Sequence, residues 1–446
     1  MLFLTAVVFE VRASSDLPEL GENSQLNIEY EYQLGRSVYK RLLDRGLIET
    51  HPLLNRYIND MGARLLSGID NRVREYNFFI VRDDAVNAFA LPGGYIGINR
   101  GLIEASQTEH QLASVMAHEI AHVRLRHGLD LLEKSRGVSS AAILATLAGL
   151  LLGGVDSQVG AAVLYGGVAG SQQSLVNFTR ENEYEADRYG VELMQTAGFD
   201  ARGMAEFFEI LSQLSGNSEL GNIEYLRTHP VSSNRVAEAQ NRARNQGITV
   251  TRLEDFPLFK DFLQYVSRDH LPDQGSQYLR SLAAIQAADY QRAHQQLSGL
   301  YQQDSENIWY SIAYAETLEH LGQEDNAELV YRRLLDIFPG DYVLSMRLLR
   351  LLRLSHQNHS ALVIARDLEN RYPLRRQVYF ELSEIYEALQ RPALRLMAEA
   401  EFHSLNGNPQ QAVRLYDAVL NSNDADLATE SIAREKRSLL LDKLQQ

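Results

Sequence analysis

Met116-Ala117-His118-Glu119-Ile120-Ala121-His122 is the stretch on which the reading of this chain turns. On a helix, residues four apart share a face, so both imidazoles can reach one metal ion. Glu119 follows the first of them and points slightly off that face. It can take a proton from an attacking water instead of binding the metal. A helix is expected here: Ser106 with Glu109 three residues later is a capping-box pattern. Leu112, Val115, Met116 and Val123 then supply an apolar stripe, and the helix runs to about residues 127–128. Two histidines still leave a metal in need of a third protein ligand and an open position for water. A third His six residues past the second is missing, because Gly128 stands there.

The composition narrows where that ligand comes from. The chain has 446 residues and no cysteine, so disulfides, thiolate metal sites, iron–sulfur clusters and cysteine nucleophiles are excluded together. A metal must be held by His, Asp or Glu. At 45% hydrophobic and 23% charged the chain reads as globular, and its length suits two or three domains. Lys plus Arg number 43 against 58 Asp plus Glu, a net charge of −15, which argues against nucleic acid as a partner.

The best source of a third ligand is Glu181-Asn182-Glu183-Tyr184-Glu185-Ala186-Asp187, on a helix expected at about 171–196. Glu183 and Asp187 share a face, so Glu183 can coordinate while Asp187 accepts a hydrogen bond from a ligand imidazole. From spacing alone the segment reads equally well as an acidic, solvated helix face.

Ahead of these motifs, helices are expected at about 26–45 and 52–67. Tyr76–Val81, Asn87–Leu91 and Tyr95–Ile98 read as strands, with Pro92-Gly93-Gly94 as the turn between the last two. The segment Val138 to Gly170 is almost all Ala, Leu, Val and Gly. Asp156-Ser157-Gln158 splits it into two runs, the second too short to span a bilayer. It reads as a helical hairpin near the active site, with a peripheral membrane contact or a partner-facing patch as the alternative. Leu2 to Val8 followed by Val11-Arg12-Ala13 reads as a shortened export signal over residues 1–15, against an ordinary buried segment.

The last third repeats. Ala293, Ala327 and Ala361 recur with a period of 34, as do Pro339 and Pro373. A small residue lets two helices approach and a Pro stops the second, which is the tetratricopeptide pattern. Ala412 lies 51 residues beyond Ala361, so the period is expected to slip near the C-terminus. Asp269–Gln274 reads as the linker, giving a first domain at 16–265 and a helical domain at 275–446.

His118-Glu119-Ile120-Ala121-His122, Asn87-Ala88-Phe89-Ala90-Leu91-Pro92-Gly93-Gly94 and Glu183-Tyr184-Glu185-Ala186-Asp187, in that order, resemble the zinc metallopeptidase family of the CAAX prenyl proteases and the HtpX heat-shock protease. The resemblance implies a mainly α chain: an α+β zincin-type peptidase domain with a small β-sheet, then an all-α tetratricopeptide-repeat solenoid. It implies one Zn²⁺ per chain, with Glu183 as the third ligand beside His118 and His122. Asn87, Ala88, Phe89, Ala90 and Leu91 would line the cleft, where an edge strand can hold an extended peptide. A His before Pro in a loop is usually solvated, but members with a repeat domain carry a Thr-His-Pro loop, matched by Thr228-His229-Pro230. The resemblance therefore implies a fourth zinc position for His229, a latched resting state, and a catalytic role for Arg235 on the developing oxyanion. It also implies a periplasmic enzyme of a Gram-negative bacterium, with unfolded or stalled outer-membrane proteins as substrates. The repeats would then recruit the outer-membrane assembly machinery. The alternatives are a scaffold or chaperone in which the repeats act and the metal site is residual, and a membrane-embedded prenyl-type protease, which would need long spans this chain lacks.

Overall fold

The computed structural model describes residues 28–67, 69, 75–127, 172–216, 223, 225–244, 255–272 and 274–445. The expectations for residues 1–15 and for the apolar segment 138–170 lie outside the described residues. The chain divides into two compact units, Met1–Lys260 and Asp261–Gln446, and the helix Asp255–Ser267 runs across the division. No helix among the described residues is long and apolar enough to cross a membrane.

The first unit sets helices around one small sheet. Helix α1 (Ile28–Asp44) and helix α2 (Pro52–Leu66) precede strands β1 (Asn77–Val81), β2 (Ala88–Leu91) and β3 (Tyr95–Asn99). The aromatic and β-branched residues that suggested strands do form them. β3 is central, parallel to β1 and antiparallel to β2, with Phe78 opposite Ile96 and Phe89 opposite Gly97. β2 therefore ends the sheet. The turn into β3 uses Gly93 at φ 76, where an added Cβ would meet the α1 backbone at Tyr32. Leu34, Val38 and Leu42 of α1 bury themselves against Phe79, Leu91 and Tyr95.

A short helix α3 (Arg100–Ala105) leads into α4 (Glu109–Arg124), which carries the His-Glu motif. The capping box falls two residues later than the sequence pattern suggested. Thr108 Oγ accepts from the Gln111 N–H at 3.3 Å, and Gln111 Oε1 accepts from the Thr108 N–H at 3.3 Å. Ser106 is unavailable for that task because its hydroxyl donates back to the Leu102 carbonyl at 2.9 Å, closing α3. At the other end α4 stops at Arg124, short of residues 127–128, and Arg126 takes φ 61. Buried residues cover nearly all faces of α4, from Gln111 to Ala121, and β2, α2 and the helices Gln172–Thr196 and Arg202–Gly216 all pack on it.

The second unit is helical throughout its described residues. Each helix packs mainly on the ones before and after it, joined by turns of a few residues. Ala293, Ala327 and Ala361 sit fully buried in Tyr290–Gln303, Glu324–Ile337 and Asn358–Arg371. The expected slip near the C-terminus shows in what is buried: Ala412, Tyr416 and Val419 repeat the spacing of Ala361, Ala365 and Leu368 after 51 residues instead of 34. The helix that starts at Pro392 keeps step with 290, 324 and 358, but Arg395 stands where the Ala would fall, and Ala393, Ala398 and Ala400 are buried instead. Ala412 belongs to the following helix, Pro409–Leu420. Arg395 pairs with Glu387 at 2.8 Å and with Glu399.

Candidate metal centre

His118 and His122 lie one turn apart on α4 and point their Nε2 atoms to one place, 3.0 Å from each other. Helix Gln172–Thr196 crosses α4 closely because Gly190 is there. A Cβ at that position would stand 3.3 Å from the His118 backbone nitrogen. That approach brings Glu183 in, with Oε1 3.3 Å from His122 Nε2 and Oε2 3.5 Å from His118 Nε2. The fourth group arrives from a short turn, Tyr225–Thr228, whose end is fixed by the His229 N–H donating to the Tyr225 carbonyl at 2.8 Å. His229 Nδ1 lies 3.0 Å from Glu183 Oε1 and 3.3 Å from His118 Nε2. His118, Glu183 and His229 are buried and His122 is half-buried.

These separations test whether a metal fits. Zinc bonds to nitrogen or oxygen of about 2.0–2.1 Å require tetrahedron edges of about 3.3 Å. The donor separations run from 3.0 to 3.5 Å around the cluster, and the whole set lies within 4.8 Å. Three imidazole nitrogens and a carboxylate converging in a buried space have too few protons to satisfy one another. A divalent cation resolves that conflict.

Behind the donors lies a ring of support. Asp187 Oδ1 is 3.0 Å from His118 Nδ1, which favours a proton on Nδ1 and leaves Nε2 bare. Arg235, 1% exposed, donates to both Asp187 oxygens at 2.6 and 2.7 Å and to the Pro230 carbonyl at 2.6 Å. Its Nη1 also stands 2.9 Å from Glu183 Oε2. All of its guanidinium nitrogens thus face the carboxylates and the His229 loop. Glu119 is buried beside the cluster, with Oε1 3.5 Å from His229 Nε2. The Tyr225 ring lies against that of His229, centroids 4.7 Å apart.

The electrostatics follow from burial and from these pairs. Burial lifts the Glu119 carboxyl above its ordinary range, against the pull of His229 and His118. Burial also opposes charge on Asp187 and Glu183, but Arg235 and the histidines outweigh it and hold both below the usual carboxylate range. Desolvation works against a charged His118, yet Asp187 and Glu183 prevail and raise it to about 10. His122, desolvated and close to the His118 charge, drops to about 3.

Sequence spacing pointed to His118, Glu119, His122, Glu183 and Asp187, the family resemblance added His229 and Arg235, and the fold gathers all seven. Asn87 is buried, and Ala88 to Leu91 form β2 at the end of the sheet, packed on α4. Two residues had no signal. Tyr225 lies in a short turn with no pattern of its own. His127 is five residues past His122, a spacing that does not share a helix face.

A buried cluster of three His and a Glu, built on an H-E-x-x-H helix, defines a metallopeptidase centre that holds a divalent metal. Residues 52–243 match the sequence model of Peptidase family M48, and the chain belongs to that family. It is 32% identical to the Beta-barrel assembly-enhancing protease of Escherichia coli (strain K12), over 97% of this chain and 92% of that protein. The protein of the same name from Yersinia pestis is 30% identical over 71% of this chain and 68% of its own length. Metalloprotease LoiP of Escherichia coli is 28% identical over 41% of this chain and 68% of its own.

Proposed function

We propose that the chain is a zinc-dependent endopeptidase in which His118, His122 and Glu183 hold the ion and His229 occupies the fourth position in a latched resting state. The observation that carries this reading is the set of donor separations near 3.3 Å, with the Glu119 carboxylate directly beside them. When bound, zinc supplies Lewis acidity, polarising a peptide carbonyl and bringing the pKa of water down to about 7. Glu119, its own carboxyl raised by burial, accepts the proton from the attacking water and delivers it to the leaving amine. Asp187 holds His118 in orientation, and Arg235 neutralises Asp187 and Glu183 while anchoring the His229 loop through Pro230. For Arg235 to stabilise an oxyanion, as the resemblance implies, it would first have to leave those partners. Asn87 to Leu91, at the end of the sheet among the described residues, would offer an extended substrate a strand edge.

The latch reading is supported by the position of His229, which touches Glu183 with one ring nitrogen and faces Glu119 with the other. With an ion held by His118, His122 and Glu183, His229 would be a further ligand, and an attacking water would have to displace it. The helical region, with its 34-residue period, is proposed as a tetratricopeptide domain that recruits clients. By analogy with the relatives named for β-barrel assembly, the setting is periplasmic quality control of outer-membrane proteins. The assembly machinery is then the partner. Glu119→Gln should retain about one zinc per chain and lose proteolysis of an unfolded substrate; undiminished cleavage would refute the assignment. The buried repeat register favours a second activity as scaffold or chaperone. Full complementation of a deletion strain by Glu119→Gln would make that the principal one.

A further inference from the structure

A ligand imidazole presents a bare nitrogen to its metal, so its single proton sits on the other nitrogen and needs an acceptor. For His118 the acceptor is the Asp187 carboxylate. For His122, whose Nε2 faces His118 and Glu183, the atom beside Nδ1 is another imidazole nitrogen: His127 Nδ1, at 3.1 Å. Because His122 Nδ1 carries the proton, His127 Nδ1 must accept it, which places the His127 proton on Nε2. That nitrogen lies 3.4 Å from Glu185 Oε2. The three groups form a line in which each donor meets an acceptor, running from the cluster out to an exposed carboxylate. The His127 ring is buried and stands edge-on to His122, centroids 5.0 Å apart and planes at 77°.

The backbone is bent to make this contact. Five residues along an unbroken helix, His127 would point well away from His122. Instead α4 ends, and Arg126 adopts φ 61, a conformation that a side chain other than glycine's resists. The Arg126 guanidinium is held by Glu31 at 2.6 Å, a fully buried carboxylate on α1. This clamp turns the chain back so that His127 comes over the end of its own helix. His127 is not itself a donor to the ion, because its nitrogen faces His122 Nδ1 rather than Nε2.

We propose that His127 is a positioning residue of the metal centre, fixing the tautomer and orientation of His122 by accepting its Nδ1–H. The clamp between Arg126 and Glu31 sets His127 in place. The proposal rests on the assignment of His122 as a ligand. The test is zinc affinity of the metal-depleted full chain, measured by competition with a chromophoric chelator, with helix content followed by circular dichroism. His127→Leu removes the acceptor and should weaken zinc binding about 10- to 100-fold. His127→Asn returns an acceptor oxygen close to the position of Nδ1 and should recover affinity to within about threefold of wild type. Glu185→Ala, at an exposed side chain that places no burden on folding, should cause a smaller loss of the same sign. Wild-type affinity in His127→Leu would overturn the proposal. So would His127→Asn as weak as His127→Leu, since the ring would then serve only as packing. His122→Ala separates the two levels: if that variant binds zinc as tightly as wild type, the metal-centre assignment itself fails.

Discussion

The two units of this chain are stabilised in opposite ways. In the peptidase unit the decisive contacts join residues far apart in sequence, His118 with Glu183, Asp187 and His229, and Arg126 with Glu31. Many of them are between buried charges. In the helical unit each helix packs on its sequence neighbours around apolar side chains, with fully buried Ala327, Leu334, Ala361 and Leu368. Among its described residues one carboxylate is deeply buried, Glu381, and it is paired with Arg350 at 2.7 Å and Arg353 at 2.9 Å, both partly exposed. The first arrangement gives chemistry at the cost of desolvated charge. The second gives surface and repeatability, and holds charge near water.

The sharpest way to break that contrast is to remove one buried charge. Arg235→Leu would leave Asp187 and Glu183 without their cation, and loss of a partner from a buried pair costs about 3–5 kcal/mol. Chemical denaturation should show that loss, and hydrogen exchange should place it in residues 1–260. A change below 1 kcal/mol would mean that water or the metal already screens those carboxylates. In the helical unit the matching probe is steric. Ala361→Leu forces a larger side chain between close helices and should cost about 1–3 kcal/mol, with zinc affinity and peptidase rate unchanged. A change in the rate would mean that packing in the second unit reaches the chemistry of the first.

Protonation tests the first unit alone. With Asp187 and Glu183 holding His118 up to about 10, the metal-stripped protein carries a proton there at neutral pH. His122, at about 3, carries none. Metal uptake must expel that one proton, so zinc affinity should rise about tenfold per pH unit from pH 6 to 8 and fall as the solution is acidified. A flat profile would contradict that proton count. The smallest expected effect is on the latch: His229→Ala should raise basal cleavage several-fold, read with a quenched peptide. A variant no faster than wild type would count against simple autoinhibition.

What the sequence made legible follows the same division. Local patterns carried the strands, because aromatic and β-branched runs of five residues have few other uses. They also carried the 34-residue register. The spacing of His118 with His122, and of Glu183 with Asp187, exposed one helix face each, although nothing local said that those faces meet. That meeting depends on Gly190, whose missing side chain lets the helices close. His127 carries no local signal because its approach to His122 requires a break in α4, and Glu31, which binds Arg126 at that break, is almost a hundred residues away. The capping box was misplaced by two residues because Ser106 and Thr108 are both competent caps, and only the carbonyl at Leu102 decides between them. The slip of the period was legible too, because Arg395 cannot stand in for a packed Ala and the buried pattern resumes only at Ala412.

Helix α4 is buried on almost every side, and this has a consequence for how the protein can vary. An ordinary surface helix tolerates exchange on its wet face, so a scan of all single substitutions returns a stripe with a period near 3.6. The helix Glu324–Ile337, with Ala327, Val330, Tyr331 and Leu334 inward, should give such a stripe. From Gln111 to Ala121, α4 has no wet face to spare. Its tolerance profile should be an unbroken band of intolerance in which ligands and packing residues look alike.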